Sequence, residues 1–421
     1  MLTRRSLSLL RPQARWSSTL TRSSALESRE TFEAEIANNP ILHKLWHAPH
    51  THLKPEEDTV NASSTLPIIL RSKSSVFTDV AKSHEGEAGF GLKWKQYKAY
   101  FLSVIHFYRV GIQNVWRNRR VMNEIKNKYY IESVATRGEV AKRKVKNGQD
   151  LVQALSSLQS LERIEQEAVK NSDSSVILNI TRKEFQTILR TERDFFKVPM
   201  FAVILVIFAE MTPIVCTLVP EIAPSTCVFP GLLKKIYKSP MEAQDTLTTR
   251  RKEHALSTYS SGVVPFQPLP KLTTEDLRLL AKSLNLTSRY IPISLYPETI
   301  LQTRLTQKFH EIKVDNHFLI NSSQNLWNLN KNELIRCCVD RNLINLVTED
   351  LATIGAHDLR IRLFFFLGLM ESDKSPANFG LLGLNHLGIK EWIEFTNIDN
   401  KTAHLINGWW VQKHSPEKKD Y

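Results

Sequence analysis

The stretch VPMFAVILVIFAEMTPIVCTLV, Val198–Val219, decides how the rest of the chain is read. It holds one charged residue, Glu210, and follows Lys197 directly. A helix needs about 20 predominantly apolar residues to cross the hydrocarbon core of a bilayer, so this run predicts a single transmembrane helix. A buried helix in a soluble core is the competing reading. Pro199 suits a first turn, and Pro213 would kink either kind of helix. An ionised carboxylate at mid-bilayer is costly, so Glu210 would pair, protonate or face a polar cavity. That makes Glu210 a candidate proton or cation site, or a polar contact to another helix. The plainer alternatives are a Glu protonated in place or a span shifted toward one interface.

Outward from this run, the N-terminus carries Arg4, Arg5, Arg11, Arg15 and Arg22 among Ser and Leu, with no acid before Glu27. Arg-rich, Ser-rich and acid-free describes a mitochondrial transit peptide. Residues 1–16 are assigned to it, with cleavage at Arg15-Trp16, and the alternative is a disordered basic N-terminus. With the transit peptide, the transmembrane reading places the chain in the mitochondrial inner membrane. The formal net charge of all 421 residues is +13, and Gly is scarce at 14, which leans the chain toward helix. Four Cys exclude a disulfide scaffold and suit a reducing compartment.

Residues 17–90, rich in Pro and Ser, read as a weakly ordered arm. Within it, His43 and His47 have metal-clamp spacing, but no Cys or convergent acid accompanies them. Residues 91–195 read as helical. Trp94, Tyr97, Tyr100, Phe101, Val104, Phe107 and Tyr108 recur every three or four positions among Lys93, Lys95, Lys98 and Arg109. Such an aromatic-basic helix suits a membrane interface or, equally, a core helix with a solvated basic edge. Leu151, Leu155, Leu158 and Leu161 mark a second helix. Residues 220–271, with Pro220, Pro224, Pro230 and Pro240, form an irregular exit and linker. Residues 272–370 predict a compact helical domain, with caps at Thr273/Asp276 and Asn330/Glu333 and Pro297 opening a helix. Residues 371–421 form a tail that cannot be placed.

No phosphate loop, dinucleotide fingerprint, zinc-protease motif, C-x-x-C pair, nucleophile context or calcium loop occurs. Cys337 and Cys338 are adjacent on a helix and cannot share a zinc. The chain is read as a non-enzyme without cofactor or metal.

Val198-Pro199, Glu210, Pro213, Pro220 and Pro224-Ser225-Thr226 resemble the membrane segment of the LETM family, mitochondrial inner-membrane proteins named for leucine zippers and EF-hands. The lead-in LNITRK, Leu178–Lys183, resembles that family's, and residues 272–370 resemble its matrix ribosome-binding-like domain through Leu301, Arg304, Asp315, Glu333-Leu334, Cys338 and Arg341. The resemblance implies an all-α fold: a single transmembrane helix followed by a matrix helical bundle, in a short member without an EF-hand. It implies an inner-membrane anchor that binds the mitochondrial ribosome and supports insertion and assembly of respiratory-chain proteins. The alternative it implies is part of a potassium/proton or calcium/proton exchange system centred on Glu210. Implied partners are the ribosome, inner-membrane lipids, and a second copy or a LETM paralogue. Arg304, Lys308, Lys313, Arg336 and Arg341 are the candidate ribosome contacts. Their apolar neighbours should face the core and these cations solvent, so neutralising Arg304 and Lys308 should leave stability nearly unchanged.

Overall fold

A computed structural model describes residues 39–48, 58–68, 70–84, 89–134, 140–168, 180–208, 211–258, 268–321, 325–351 and 353–372, with Phe379 and Leu382. The described chain is all-α apart from one two-stranded antiparallel hairpin. In order it runs α1 (Pro40–His47), α2 (Lys73–Ser83), α3 (Phe90–Lys128), β1 (Tyr130–Val134), β2 (Val140–Lys144), α4 (Gly148–Ala168), α5 (Arg182–Phe208), α6 (Thr212–Leu218), α7 (Pro230–Thr258), α8 (Thr274–Ser283), α9 (Glu298–Asn321), α10 (Lys331–Asp340) and α11 (Ala356–Ser372). Tyr130 pairs with Lys144 at one end of the hairpin and Val134 with Val140 at the other.

Local chemistry sets the helix starts. Thr273 accepts from the Asp276 N–H and Asn330 from the Glu333 N–H, as their spacing predicts. At α5, Thr181 and Glu184 form a capping box: the Glu184 N–H donates to Thr181 Oγ1 and the Thr181 N–H to Glu184 Oε2. Helices α8 and α10 both stop on an Asn with positive φ, Asn285 (54°) and Asn342 (57°). The N–H groups of Leu286 and Leu343 then reach back to Ala281 and Cys338 carbonyls, which satisfies the last turn.

Three apolar clusters hold the helices. The largest joins α7–α11 and also takes in Leu42, Leu45 and Trp46 of α1 and Val60. The expected arm is therefore partly built into this core. Trp327 Nε1 donates to the Leu45 carbonyl at 2.8 Å, and Gly368 on α11 leaves room for Leu42, whose Cδ2 would stand 2.3 Å from any added Cβ. A second cluster sets Met122 and Ile125 of α3 with α4, the start of α5, and Val314 and Phe318 of α9. A third sets Phe107 and Tyr108 of α3 against Phe201 of α5, Cys216 of α6, Cys227 and Leu232.

The single transmembrane helix is corrected. The apolar run is divided between α5 and α6. The first half of α5 is charged, and its apolar part, Val198–Phe208, is about 16 Å long at 1.5 Å per residue, against about 30 Å of hydrocarbon. Among the described residues no helix is long and apolar enough to cross a membrane. The single-pass inner-membrane topology has no such helix to rest on among the described residues. Val198, Phe201 and Ile204 are buried, so one face of the run packs as a core helix does.

Candidate functional site

The polar face of α5 carries Arg182, Gln186 and Arg190 at i, i+4 and i+8, and all three are buried. They meet two carboxylates. Arg182 donates to Asp315 Oδ1 at 2.8 Å, to Glu333 Oε2 at 3.3 Å and to the Val60 carbonyl at 2.7 Å. Arg190 grips Glu333 with two bonds, at 2.7 and 3.0 Å, and the Ala62 N–H adds a third at 3.0 Å. Arg341 closes the cluster on Asp315 Oδ2 at 2.7 Å, and Gln186 binds Asp315 Oδ1 at the same distance. Burial alone would raise the Asp315 carboxyl, but the Arg182 and Arg341 guanidiniums override it and hold Asp315 well below the usual carboxylate range. Glu333 is likewise lowered, by Arg190 and Arg182 acting against its burial. This cluster binds α5 to α9, α10 and the segment around Val60. Its acceptors are already filled by protein donors.

A second set lies beside it. Arg193 pairs with Glu311, Lys308 lies 4.0 Å from Glu311 and 3.8 Å from Asp340, and Arg336 holds Asp340 at 3.2 Å. The five expected ribosome contacts are thus dispersed. Arg341 is buried in the first cluster, and Lys308 and Arg336 are engaged in the second. Lys313 lies over the Phe309 ring. Arg304 is exposed, bound to the Leu286 carbonyl at 2.8 Å and stacked on Tyr296. The expected single outward basic face is not formed, because four of the five stand where α9 and α10 meet other helices or rings rather than bulk solvent.

The expected membrane motif has turn-forming work instead. Pro199 sits inside α5, exposed, and Pro213 stands in the first turn of α6. Pro220 opens a 3-10 turn, and Pro224 precedes a second one, Ser225–Cys227. The Ser225 N–H donates to Asp194 Oδ1 at 2.8 Å and its hydroxyl to Oδ2. Thr226 Oγ1 donates to the Gly111 carbonyl at 3.1 Å. Glu210, Arg15 and Trp16 lie outside the described residues.

What the structure adds is an exposed apolar surface. Along α5, Phe196, Met200, Val203, Val206 and Ile207 form a stripe at three- and four-residue spacing, with Val206 81% and Phe196 78% exposed. Antiparallel α3 lies alongside: Trp116 meets Phe195 edge-on at 5.7 Å, and Tyr108 meets Phe201 at 5.6 Å. That register brings exposed Leu102 and Ile105 level with the end of α5. Beyond α6, exposed Leu218 is tied through its carbonyl to Arg289 and Tyr290, which sets exposed Tyr290, Ile291 and Leu295 beside it. Exposed apolar residues on separate segments, grouped rather than scattered, mark an interaction surface.

A family model described as the pentamidine resistance factor domain matches residues 60–323, and the chain belongs to that family. The match runs from the Val60 segment through α9 and so spans the first ion cluster up to Asp315. The mitochondrial pentamidine resistance factor of Saccharomyces cerevisiae is 23% identical over 363 residues, 79% of this chain and 81% of the relative. Its name places that protein in mitochondria, in agreement with the Arg-rich, acid-free N-terminus here. No solved structure matches. The LETM resemblance is overturned by this assignment, and a LETM paralogue as partner goes with it. Pro at turn starts and Ser/Thr hydroxyls on turn acceptors are general devices of irregular chain, so their order around Val198–Thr226 did not specify a family.

Proposed function

We propose that this is a mitochondrial protein that seats one face in the surface of the inner membrane. The observation that carries the membrane reading is the apolar stripe Phe196–Ile207 with Leu102, Ile105 and Leu218, exposed in a folded chain. Apolar side chains beside aromatic and basic ones are what an interfacial segment needs: the former enter the acyl boundary, the latter stay at the headgroups. Helix α3 supplies Trp94, Tyr97 and Trp116 among Lys93, Lys95, Lys98, Arg117 and Arg120. Ribosome contact through the five cations and cation exchange through Glu210 are not part of this proposal.

The test is flotation of the full chain with vesicles of phosphatidylcholine and phosphatidylglycerol. Wild type should float, and Val206→Asp with Ile207→Asp should not, at unchanged melting temperature. A wild-type chain that stays at the bottom of the gradient overturns the proposal.

A further inference from the structure

A groove of about 970 Å³ opens between the segment leading into α2, the first half of α3 and the start of α7. Its floor is apolar: Leu70, Tyr100, Val104, Phe229 and Leu232, of which Val104 and Leu232 belong to the buried cluster beneath. Trp94 and Tyr97 stand at its mouth, both more than half exposed. Arg71 and Lys98 line it as well, and Lys73 lies 4.6 Å from the Tyr97 ring centre. Among the described residues, Asp79 is the carboxylate at this rim, and it pairs with Arg71. Three cations against that one acid leave the described rim positive.

We propose that this groove binds a single phospholipid, with an acyl chain along the floor and an anionic phosphate head against Lys98, Arg71 and Lys73. The volume lies at the upper end of the range of small-molecule sites, roughly 300–1,000 Å³. An apolar trough with charge at one rim fits an amphiphile rather than a polar metabolite, because burying an unpaired polar group on that floor carries a large desolvation cost. The positive rim selects an anionic head over a neutral one. Leu102 lines the groove and also belongs to the exposed apolar surface, so the trough opens where the chain meets the bilayer. For the source of its lipid the inference rests on the membrane-seating proposal.

Gly231 supplies the discriminating variant. It lines the groove, and a Cβ there meets nothing within 4 Å, so Gly231→Trp starts a large side chain in open space at the groove. The full chain is incubated with mixed micelles or vesicles of phosphatidylcholine and phosphatidylglycerol, repurified, and its retained lipid counted by native mass spectrometry. Wild type should retain one phospholipid, enriched in phosphatidylglycerol. Gly231→Trp should retain about tenfold less while melting and floating as wild type does, and Lys98→Glu should lose the headgroup preference. No retained phospholipid in wild type, or equal retention by Gly231→Trp, overturns the site, and so does a groove filled by another part of the chain or a second copy. Lipid retained from micelles by a chain that does not float on vesicles supports the groove and overturns the seating. Flotation without retained lipid does the reverse.

Discussion

Arg182 Nε donates to Asp315 Oδ1 at 2.8 Å, and both side chains are almost wholly removed from solvent. A residue at the start of α5 is thereby bonded to one on α9, 133 positions later. Removing one partner of a buried pair costs about 3–5 kcal/mol where the other charge is left bare; here Arg341 still holds Asp315 and Glu333 still reaches Arg182, so the cost falls toward the lower end of that range. Asp315→Leu and Arg182→Met should each lower the unfolding free energy by that order, read as a fall in the denaturant midpoint at unchanged slope. The double variant should lose clearly less than the sum of the singles, since the pair's own net contribution is small. Additive losses would show that the two side chains act separately.

The same buried acids set an acid limit. Asp315, Glu333, Glu311 and Asp340 are each held below their ordinary values, where burial, which would raise them, is overcome by Arg and Lys partners. A depressed folded-state pKa gives stability that is present above the unfolded value, near pH 4, and is lost as pH falls through the folded value. His310 and His357, lowered chiefly by burial, act in the same direction from about pH 6.5 downward. Glu184 is lowered as well, its burial overcome by bonds from Thr181, Tyr129 and Lys128; Asp194, raised by its burial, has the opposite sign, and one group against seven among the described residues does not reverse the trend. Melting temperature should decline gently below pH 6.5 and steeply below about pH 4.5. A profile that stays flat or rises to pH 3 would contradict this account of the clusters.

Lys308 is where the structure changes an expectation most directly. Sequence periodicity puts Arg304, Lys308 and Lys313 on an outward face and predicts that neutralising the first two leaves stability alone. In the structure the Lys308 side chain is 12% exposed and lies between Glu311 and Asp340. Its pKa is lowered by burial, with the two carboxylates acting against that. Lys308→Gln should therefore destabilise by roughly 1–3 kcal/mol, while Arg304→Gln, at an exposed site, should change stability by about 0.5 kcal/mol or less. Equal, small effects in thermal melts would restore the solvated-face reading.

Why this was hidden is visible in the residues themselves. The helices were legible where apolar periodicity was clear, and sharpest where a cap coincided with it: α3, α4 and α8–α10 lie close to the stretches the sequence marks, with Thr273 and Asn330 capping as their spacing requires. Charged residues at core positions carry no such mark. Asp315 follows Val314, and Arg341 precedes Asn342 and Leu343, as any surface charge could, and only a partner on a distant helix tells them apart. One local hint existed, the i, i+4, i+8 stripe Arg182, Gln186 and Arg190, whose polar residues face a helix rather than water. The run Val198–Val219 misled for a different reason. It is apolar on both faces, and composition cannot distinguish a helix surrounded by lipid from one packed on α3 along one side and exposed along the other.

Gly111 tests the packing beneath that exposed surface. It lies on α3 where the turn Ser225–Cys227 crosses, and its carbonyl accepts from Thr226 Oγ1 at 3.1 Å. A Cβ at this position would stand 2.5 Å from Cys227 Sγ and 2.9 Å from the Thr226 carbonyl oxygen. The second neighbour is backbone, fixed by the bonds from Ser225 to Asp194, so it cannot move aside as a flexible side chain would. Overpacking of this kind costs about 1–3 kcal/mol, which outweighs the gain of a few tenths up to about 1 kcal/mol that Ala brings over Gly inside a helix. Gly111→Ala should lower the melting temperature despite its better helix propensity. Adding Thr226→Ala should not relieve it, because the close oxygen belongs to the backbone. Pairing it with Asp194→Ala, which removes the acceptor of both bonds from Ser225, should leave a combined loss smaller than the sum of the two. Strict additivity in that pair would mean that the turn is held by something other than the Asp194 bonds.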